Sequence, residues 1–189
     1  MVIIVGLGAW CLHLRRELDR AHVDQTFGIF TRLGGEWAWR RLSRRYALFE
    51  VVFLDLDDLH RLNEELGYAE VDRRIRSALV YREADIMIAR WYSGDEIVAV
   101  VPKGDGQGFA LRLLANLQAE HLSATFGVVP AMPELATTVN SAMQLVNHAK
   151  AGGLRGSVCR VSHPGSAPHG GRAGETLRSA PVSETSLAG

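Results

Sequence analysis

The sequence predicts an α+β domain: short strands in the split β-α-β-β-α-β order, forming a sheet with helices packed on it. Three observations carry that prediction. Ala47–Leu54 (ALFEVVFL) is an apolar run of aromatic and β-branched residues, long enough for a buried strand. Ile86-Met87-Ile88-Ala89 and Ile97-Val98-Ala99-Val100-Val101 flank a short turn that contains Gly94, which is a hairpin signal. Elsewhere apolar residues recur at helical spacing, as at Phe109, Leu113, Leu114 and Leu117.

Taken in order, Met1–Leu12 (MVIIVGLGAWCL) is uncharged and is followed by His13 and Arg15-Arg16. It falls short of the roughly 20 apolar residues that span a bilayer. The lack of a basic leader argues against a secretory signal. Two readings of residues 1–14 stand level: a short membrane anchor with Arg15 and Arg16 on the cytoplasmic side, or an apolar segment packed on the domain or a partner. Leu14–Ala21 (LRRELDRA) is charged and helix-prone, so residues 1–23 form an apolar segment and stalk helix. Around Trp37 and Trp39 lie Arg32, Arg40, Arg41, Arg44 and Arg45. This could be a nucleic-acid patch, but a helix with one solvated arginine face is favoured.

After the first strand, Leu59–Leu66 and Asp72–Val80 read as two helical pieces broken at Gly67. The hairpin follows, then a helix over Gln107–Ala119 and a strand over Leu122–Val129. Val139, Ala142, Met143, Val146 and Ala149 mark a helix that Gly152-Gly153 stops, and Ser157–Val161 reads as a last short strand. From Ser162 to Gly189 small and polar residues dominate, so a disordered tail is expected after a folded domain over 24–161. In the expected antiparallel sheet, strands one and three lie side by side in the middle, with the helices on one face.

Composition narrows the function. The chain has 21 basic and 21 acidic residues and no net charge, which argues against nucleic acid as a partner. A hydrophobic fraction of 47% supports a full core. Cys11 and Cys159 are too few for a disulfide or zinc framework, so a reduced, cytoplasmic domain is the expectation.

The chemistry lies in two acidic clusters, Asp55-Leu56-Asp57-Asp58 and Ser93-Gly94-Asp95-Glu96. Both sit at ends of buried strands, where like charges repel unless a cation lies among them. Oxygen ligands of this kind suit Mg²⁺ or Mn²⁺. With strands one and three adjacent, the two clusters converge on one edge of the sheet.

Together these segments resemble a GGDEF domain, the palm-like catalytic domain of diguanylate cyclases. Asp24-Gln25-Thr26-Phe27-Gly28-Ile29-Phe30-Thr31-Arg32 is similar to the family's D-x-L-T-G-L-x-N-R, keeping Asp24, Gly28 and Arg32. Asp55 to Glu64, Gly67-Tyr68 and Val71-Asp72 follow D-x-D-x-F-K-x-I-N-D…G-H-x-x-G-D without a gap. Ser93-Gly94-Asp95-Glu96-Ile97 stands where G-G-D-E-F would be, and Ala149-Lys150-Ala151-Gly152-Gly153 resembles A-K-x-x-G. The resemblance covers residues 24–161.

It implies condensation of two GTP molecules into cyclic di-GMP and pyrophosphate, in a homodimer whose domains each hold one GTP. It implies that Asp55, the Leu56 carbonyl, Asp95 and Glu96 bind the metal, with Asp95 and Glu96 also catalytic. Glu96 would be a ligand or would help deprotonate the attacking hydroxyl. Asn63 and Asp72 would select guanine, Gly94 would let the backbone approach the phosphates, and Lys150 and His60 would face the triphosphate.

Plainer readings stand beside these. Asp57 and Asp58 read as a helix N-cap and a first-turn acid without a metal role. Asn63 could be a solvated helix residue and Asp72 an N-cap, while Lys150 could simply complement a helix C-terminus. The chain also departs from the pattern. Ser93 replaces a glycine, His60 a lysine, and Leu154 an arginine, with Arg155 adjacent; Ile97 replaces Phe, and Tyr68 and Val71 replace His and Gly. Arg82-Glu83-Ala84-Asp85 has the R-x-x-D form of the inhibitory product site but lies seven residues ahead of Ser93, further than the family spacing. Two other functions therefore remain: a degenerate domain that binds GTP or cyclic di-GMP without turnover, or another palm-type nucleotidyl cyclase.

Overall fold

The first strand, β1 (Phe49–Leu56), is buried at consecutive positions from Glu50 to Leu54, and that determines the layers around it. Successive side chains of a strand point to opposite faces, so a strand apolar on both must be covered on both. In the computed structural model, which describes residues 21–80, 87–92 and 94–161, helices flank the sheet on either side. This corrects the expectation of helices on one face.

The elements in chain order are α1 (Arg32–Leu42), a 3-10 helix (Ser43–Leu48), β1, α2 (Leu59–Leu66), α3 (Tyr68–Ala78), β2 (Met87–Arg90), β3 (Glu96–Pro102), α4 (Gly106–Ala119), β4 (Ala124–Pro130), α5 (Leu135–Ala151) and β5 (Val158–Arg160). The sheet runs β2-β3-β1-β4-β5. The first and third strands are neighbours near its middle, as the sequence predicts. Four strands pair antiparallel, whereas β5 joins β4 in parallel, so the sheet is mixed. The reason is the intervening helix: α5 carries the chain back along the sheet, and a strand-helix-strand connection between neighbours gives a parallel pair.

On one face Val52, Leu54 and Leu56 pack with Ile97, Ala99 and Val101 beneath Val71 and Ile75 of α3 and Phe109, Leu113 and Leu117 of α4. On the other, Val51, Phe53, Val98 and Val100 meet Trp39 of α1 and Val139, Ala142 and Val146 of α5. Helix α1 starts at Thr31, whose hydroxyl accepts a 3.2 Å hydrogen bond from Gly34 N–H. Its arginines are exposed while Trp39 is buried, consistent with the solvated-face reading. Gly67 separates α2 from α3 at φ +81°, a backbone conformation that a side chain would strain.

Among the described residues no helix is long and apolar enough to cross a membrane. Residues 1–20, the Arg82–Asp85 motif, Ser93 and the segment 162–189 lie outside the described residues.

Candidate functional site

Register places the acids. Asp55 near the end of β1 lies directly opposite Glu96 at the start of β3, and Thr125 of β4 flanks it on the other side. The turn before β3 is tied to the same strand end, because Leu56 N–H donates to the Asp95 carbonyl at 3.3 Å. Trp91 N–H closes the hairpin on the Glu96 carbonyl at 2.9 Å. Within that turn Gly94 has φ +91°, and a Cβ there would meet nothing nearer than Leu59 Cδ2 at 4.0 Å. Backbone conformation, rather than space, accounts for glycine at this position.

The cluster is electrostatically loaded. Burial pushes the Asp55 carboxyl above the usual aspartate value, and the charges of Asp95 and Asp57 add to that against the opposing pull of Lys150. Burial also raises the Glu96 carboxyl, reinforced by Asp95 and Asp55. Asp55, Asp95 and Glu96 thus act on one another at one end of the sheet.

Lys150, in the last turn of α5, reaches into this cluster. Its Nζ lies 3.0 Å from Asp55 Oδ1 and 3.0 Å from Asp57 Oδ1, and donates to the Leu56 carbonyl at 3.2 Å. The side chain is only 18% exposed.

Asp57 is neither an N-cap nor a first-turn acid, which corrects the sequence reading. It is a buried hub immediately after β1. Its carboxylate accepts from Ser123 Oγ at 2.9 Å, Thr125 Oγ1 at 3.0 Å and Gly156 N–H at 2.9 Å, besides pairing with Lys150. Burial works against its charge, but the hydrogen bonds from Lys150, Ser123 and Thr125 outweigh it and hold the carboxyl below the usual value. The D-x-D spacing carried the signal: residues two apart on an extended chain share a face, so Asp55 and Asp57 can grip one cation. Asp58 is the cap residue of α2 at φ 55°, makes no side-chain cap, and pairs with Arg155.

Asn63 on α2 and Asp72 on α3 are half-buried, and neither side chain has a hydrogen-bond partner among the described residues. Asp72 lies inside its helix, so the N-cap reading of it is corrected. His60 is exposed on α2, 3.2 Å from Glu64. Leu154 is exposed.

Arg90, at the end of β2, escaped the sequence reading. Its Nη1 pairs with Asp24 Oδ2 at 3.1 Å, its Nη2 donates to the Gly94 carbonyl at 3.2 Å, and its guanidinium lies 4.7 Å from the centre of the Phe27 ring. It ties the Asp24–Arg32 segment to the acidic turn. A lone arginine closing an apolar strand was the only trace of it in the sequence.

Among the described residues no group of three or more His, Cys, Asp or Glu side chains is gathered to hold a metal ion. The donor chemistry nevertheless fits Mg²⁺ or Mn²⁺: Asp55, Glu96 and Asp95 offer carboxylates and Leu56 a carbonyl. Mg²⁺ sites are commonly built from one or two carboxylates completed by substrate phosphates and water. The Lys150 ammonium lies against two of these oxygens, Asp55 Oδ1 and the Leu56 carbonyl, so that pair already accommodates a positive charge.

No protein-family model and no curated protein matches the sequence. Solved structures do. A microbial GGDEF domain studied with cyclic di-GMP is 24% identical with a TM-score of 0.59, over 75% of this chain and 99% of that one. The diguanylate cyclase SiaD from Pseudomonas aeruginosa, solved with its activator SiaC, is 21% identical with a TM-score of 0.58, over 84% and 70%. The GGDEF domain of DgcB from Caulobacter crescentus, in complex with cyclic di-GMP, is 18% identical with a TM-score of 0.57, over 74% and 93%. At such identities the likeness is one of architecture: this chain has the fold of a GGDEF domain.

Proposed function

We propose that this GGDEF-fold chain is a diguanylate cyclase, joining two GTP molecules into cyclic di-GMP with release of pyrophosphate. The observation that carries the reading is the opposed pair Asp55 and Glu96, with Asp95 in the adjoining turn, on adjacent strands of that fold. In each of two steps a 3′-hydroxyl oxygen bonds to the α-phosphorus of the facing GTP, and the bond from that phosphorus to pyrophosphate breaks. Asp55, the Leu56 carbonyl, Asp95 and Glu96 would hold the Mg²⁺ or Mn²⁺. Bound there, the metal would lower the pKa of the hydroxyl and neutralise charge on the departing pyrophosphate. Glu96 would be a ligand of that metal or would help take up the hydroxyl proton. Asn63 and Asp72, half-buried and unpartnered among the described residues, have free polar groups for the guanine edge. Gly94 would admit the phosphates, with Lys150 and His60 supplying positive charge. The domain would act from the cytoplasm as a homodimer.

A second reading is favoured by Lys150. With its ammonium lodged between Asp55 and Asp57, the site could bind GTP or cyclic di-GMP without turnover. The test is incubation with Mg²⁺ or Mn²⁺ and each NTP, followed by mass spectrometry. Cyclic di-GMP from GTP alone, abolished in Asp95→Ala, is the expected result. Binding without product would establish the second reading, and a cyclised product of another nucleotide would make the chain a different palm-type cyclase.

A further inference from the structure

Lys150 is bound twice over to carboxylates, yet the resemblance assigns it to phosphate. One position cannot serve both roles. Its Nζ lies 3.0 Å from Asp55 Oδ1, and Asp55 is also the first carboxylate of the candidate metal set. The Leu56 carbonyl, the backbone oxygen of that set, accepts from the same Nζ at 3.2 Å. The ammonium therefore uses two of the oxygens that a divalent cation would need. The third contact is of a different kind. Asp57 belongs to no part of the metal set, is 3% exposed, and is fixed by Ser123, Thr125 and Gly156. Asp57 thus provides an anchor that stays in place whichever cation Asp55 holds.

We propose that Lys150 is the resident counter-ion of the acidic cluster and leaves Asp55 and the Leu56 carbonyl when a divalent cation is bound there. The proposal rests on the cyclase reading and adds a built-in exchange to it. Electrostatics gives the exchange its direction. Asp55 and Glu96 face each other across paired strands with Asp95 beside them, so the cluster without metal carries a negative charge that one lysine offsets only in part. Two cations within bonding distance of one carboxylate oxygen repel each other, so binding of the second weakens the hold on the first. Lys150 can give up Asp55 and remain on Asp57, or extend past it toward an incoming triphosphate. It sits in the last turn of α5, so moving its side chain requires no change in the sheet. The lysine would thereby couple metal loading to its own availability for phosphate. It would also offset part of the charge of the acidic cluster while no substrate is present.

Two measurements test this without relying on activity. The first is Mn²⁺ binding by calorimetry in the absence of nucleotide, comparing the wild-type chain with Lys150→Met. Removal of a competing cation should tighten Mn²⁺ binding roughly tenfold, within the usual range of site-site coupling. Equal or weaker binding in the variant overturns the exchange, while leaving the cyclase reading intact if the wild type still makes cyclic di-GMP. Failure of both proteins to bind Mn²⁺, even with GTP, overturns the two proposals together. The second uses only the wild type, so it does not depend on the variant folding. The chain has two lysines, Lys150 and the exposed Lys103, which serves as an internal control. Acetic anhydride labelling, read by mass spectrometry, should modify Lys150 faster with Mg²⁺ than with EDTA, while Lys103 stays unchanged. Labelling of Lys150 that is indifferent to Mg²⁺, or slowed by it, overturns the exchange.

Discussion

Asp57 keeps its charge in a buried position because its lone pairs meet donors from three parts of the chain: Lys150 on α5, Ser123 and Thr125 around the start of β4, and the Gly156 N–H ahead of β5. Asp57→Ala would leave those donors facing a void. Removing one partner of a buried ion pair typically costs about 3 kcal/mol or more, and urea denaturation at pH 7 should show a loss of that order. The acid limb follows by linkage. The folded carboxyl of Asp57 lies below its unfolded value of 3.8, so the unfolded chain binds the proton first. The stability from this group is present above that value and is lost as pH falls through the folded one. Asp55 and Glu96 have the opposite sign: their folded values are raised, so they contribute stability below their unfolded values of 3.8 and 4.5 and lose it as pH rises through the folded ones. In EDTA, the contribution of these two groups to the unfolding temperature should therefore fall as pH rises from their unfolded values through the raised folded ones, and Mg²⁺ should narrow that fall. In Asp57→Ala the fall in stability below pH 4 should be shallower than in the wild type. At this scale the sequence was only half legible. Acidic residues at strand ends can be seen in a sequence, but whether a given one meets a metal, a lysine or two hydroxyls depends on which distant segments fold beside it.

Helix α5 approaches β4 so closely that a side chain cannot fit between them at Gly127. A Cβ there would lie 2.3 Å from the Ala142 carbonyl oxygen and 3.2 Å from Val146 Cγ2. Gly127→Ala should push α5 off the sheet and cost about 2 kcal/mol, as overpacked cores do. Because the same helix carries Lys150, the variant should also weaken the lysine's protection from acetic anhydride. Gly108 in α4 provides the contrast: its added Cβ would touch only Arg112 Nη1 at 3.5 Å. Gly108→Ala should therefore raise stability by about 0.5–1 kcal/mol, the ordinary benefit of alanine over glycine in a helix. Denaturant midpoints of the two variants, measured side by side, check both signs. Element types were readable because period-2 and period-3.6 patterns survive in the apolar residues of β1, α4 and α5. The layer arrangement was not, since an apolar run like that of β1 indicates burial without saying how many helices cover it. The parallel pairing of β5 depends on the path of α5, and three residues carry too little pattern to reveal it.

Across the whole molecule, the described residues hold one acidic cluster, at one end of one sheet. Cyclic di-GMP contains two guanylates joined by two phosphodiester bonds, and each bond needs its own α-phosphorus held as the electrophile. A single cluster that positions one triphosphate cannot present the second. Under the cyclase proposal, two chains must therefore bring their acidic sheet ends face to face, each hydroxyl attacking the nucleotide of the other. This has a kinetic consequence that does not depend on which surface joins the chains. Below the dissociation constant of the pair, the concentration of paired chains scales with the square of total protein. Initial rates at saturating GTP and Mg²⁺ should then fall as the square of protein concentration on dilution below that constant, and be linear in protein above it, where pairing is complete. Mixing Asp95→Ala with wild-type chain should depress the wild-type rate by trapping it in pairs with one impaired cluster. A rate linear in protein across the whole range, unaffected by the variant, would mean either that one chain completes the reaction or that the pair never separates. Sedimentation at the lowest assay concentration distinguishes these, and a monomer with linear kinetics would overturn the face-to-face arrangement.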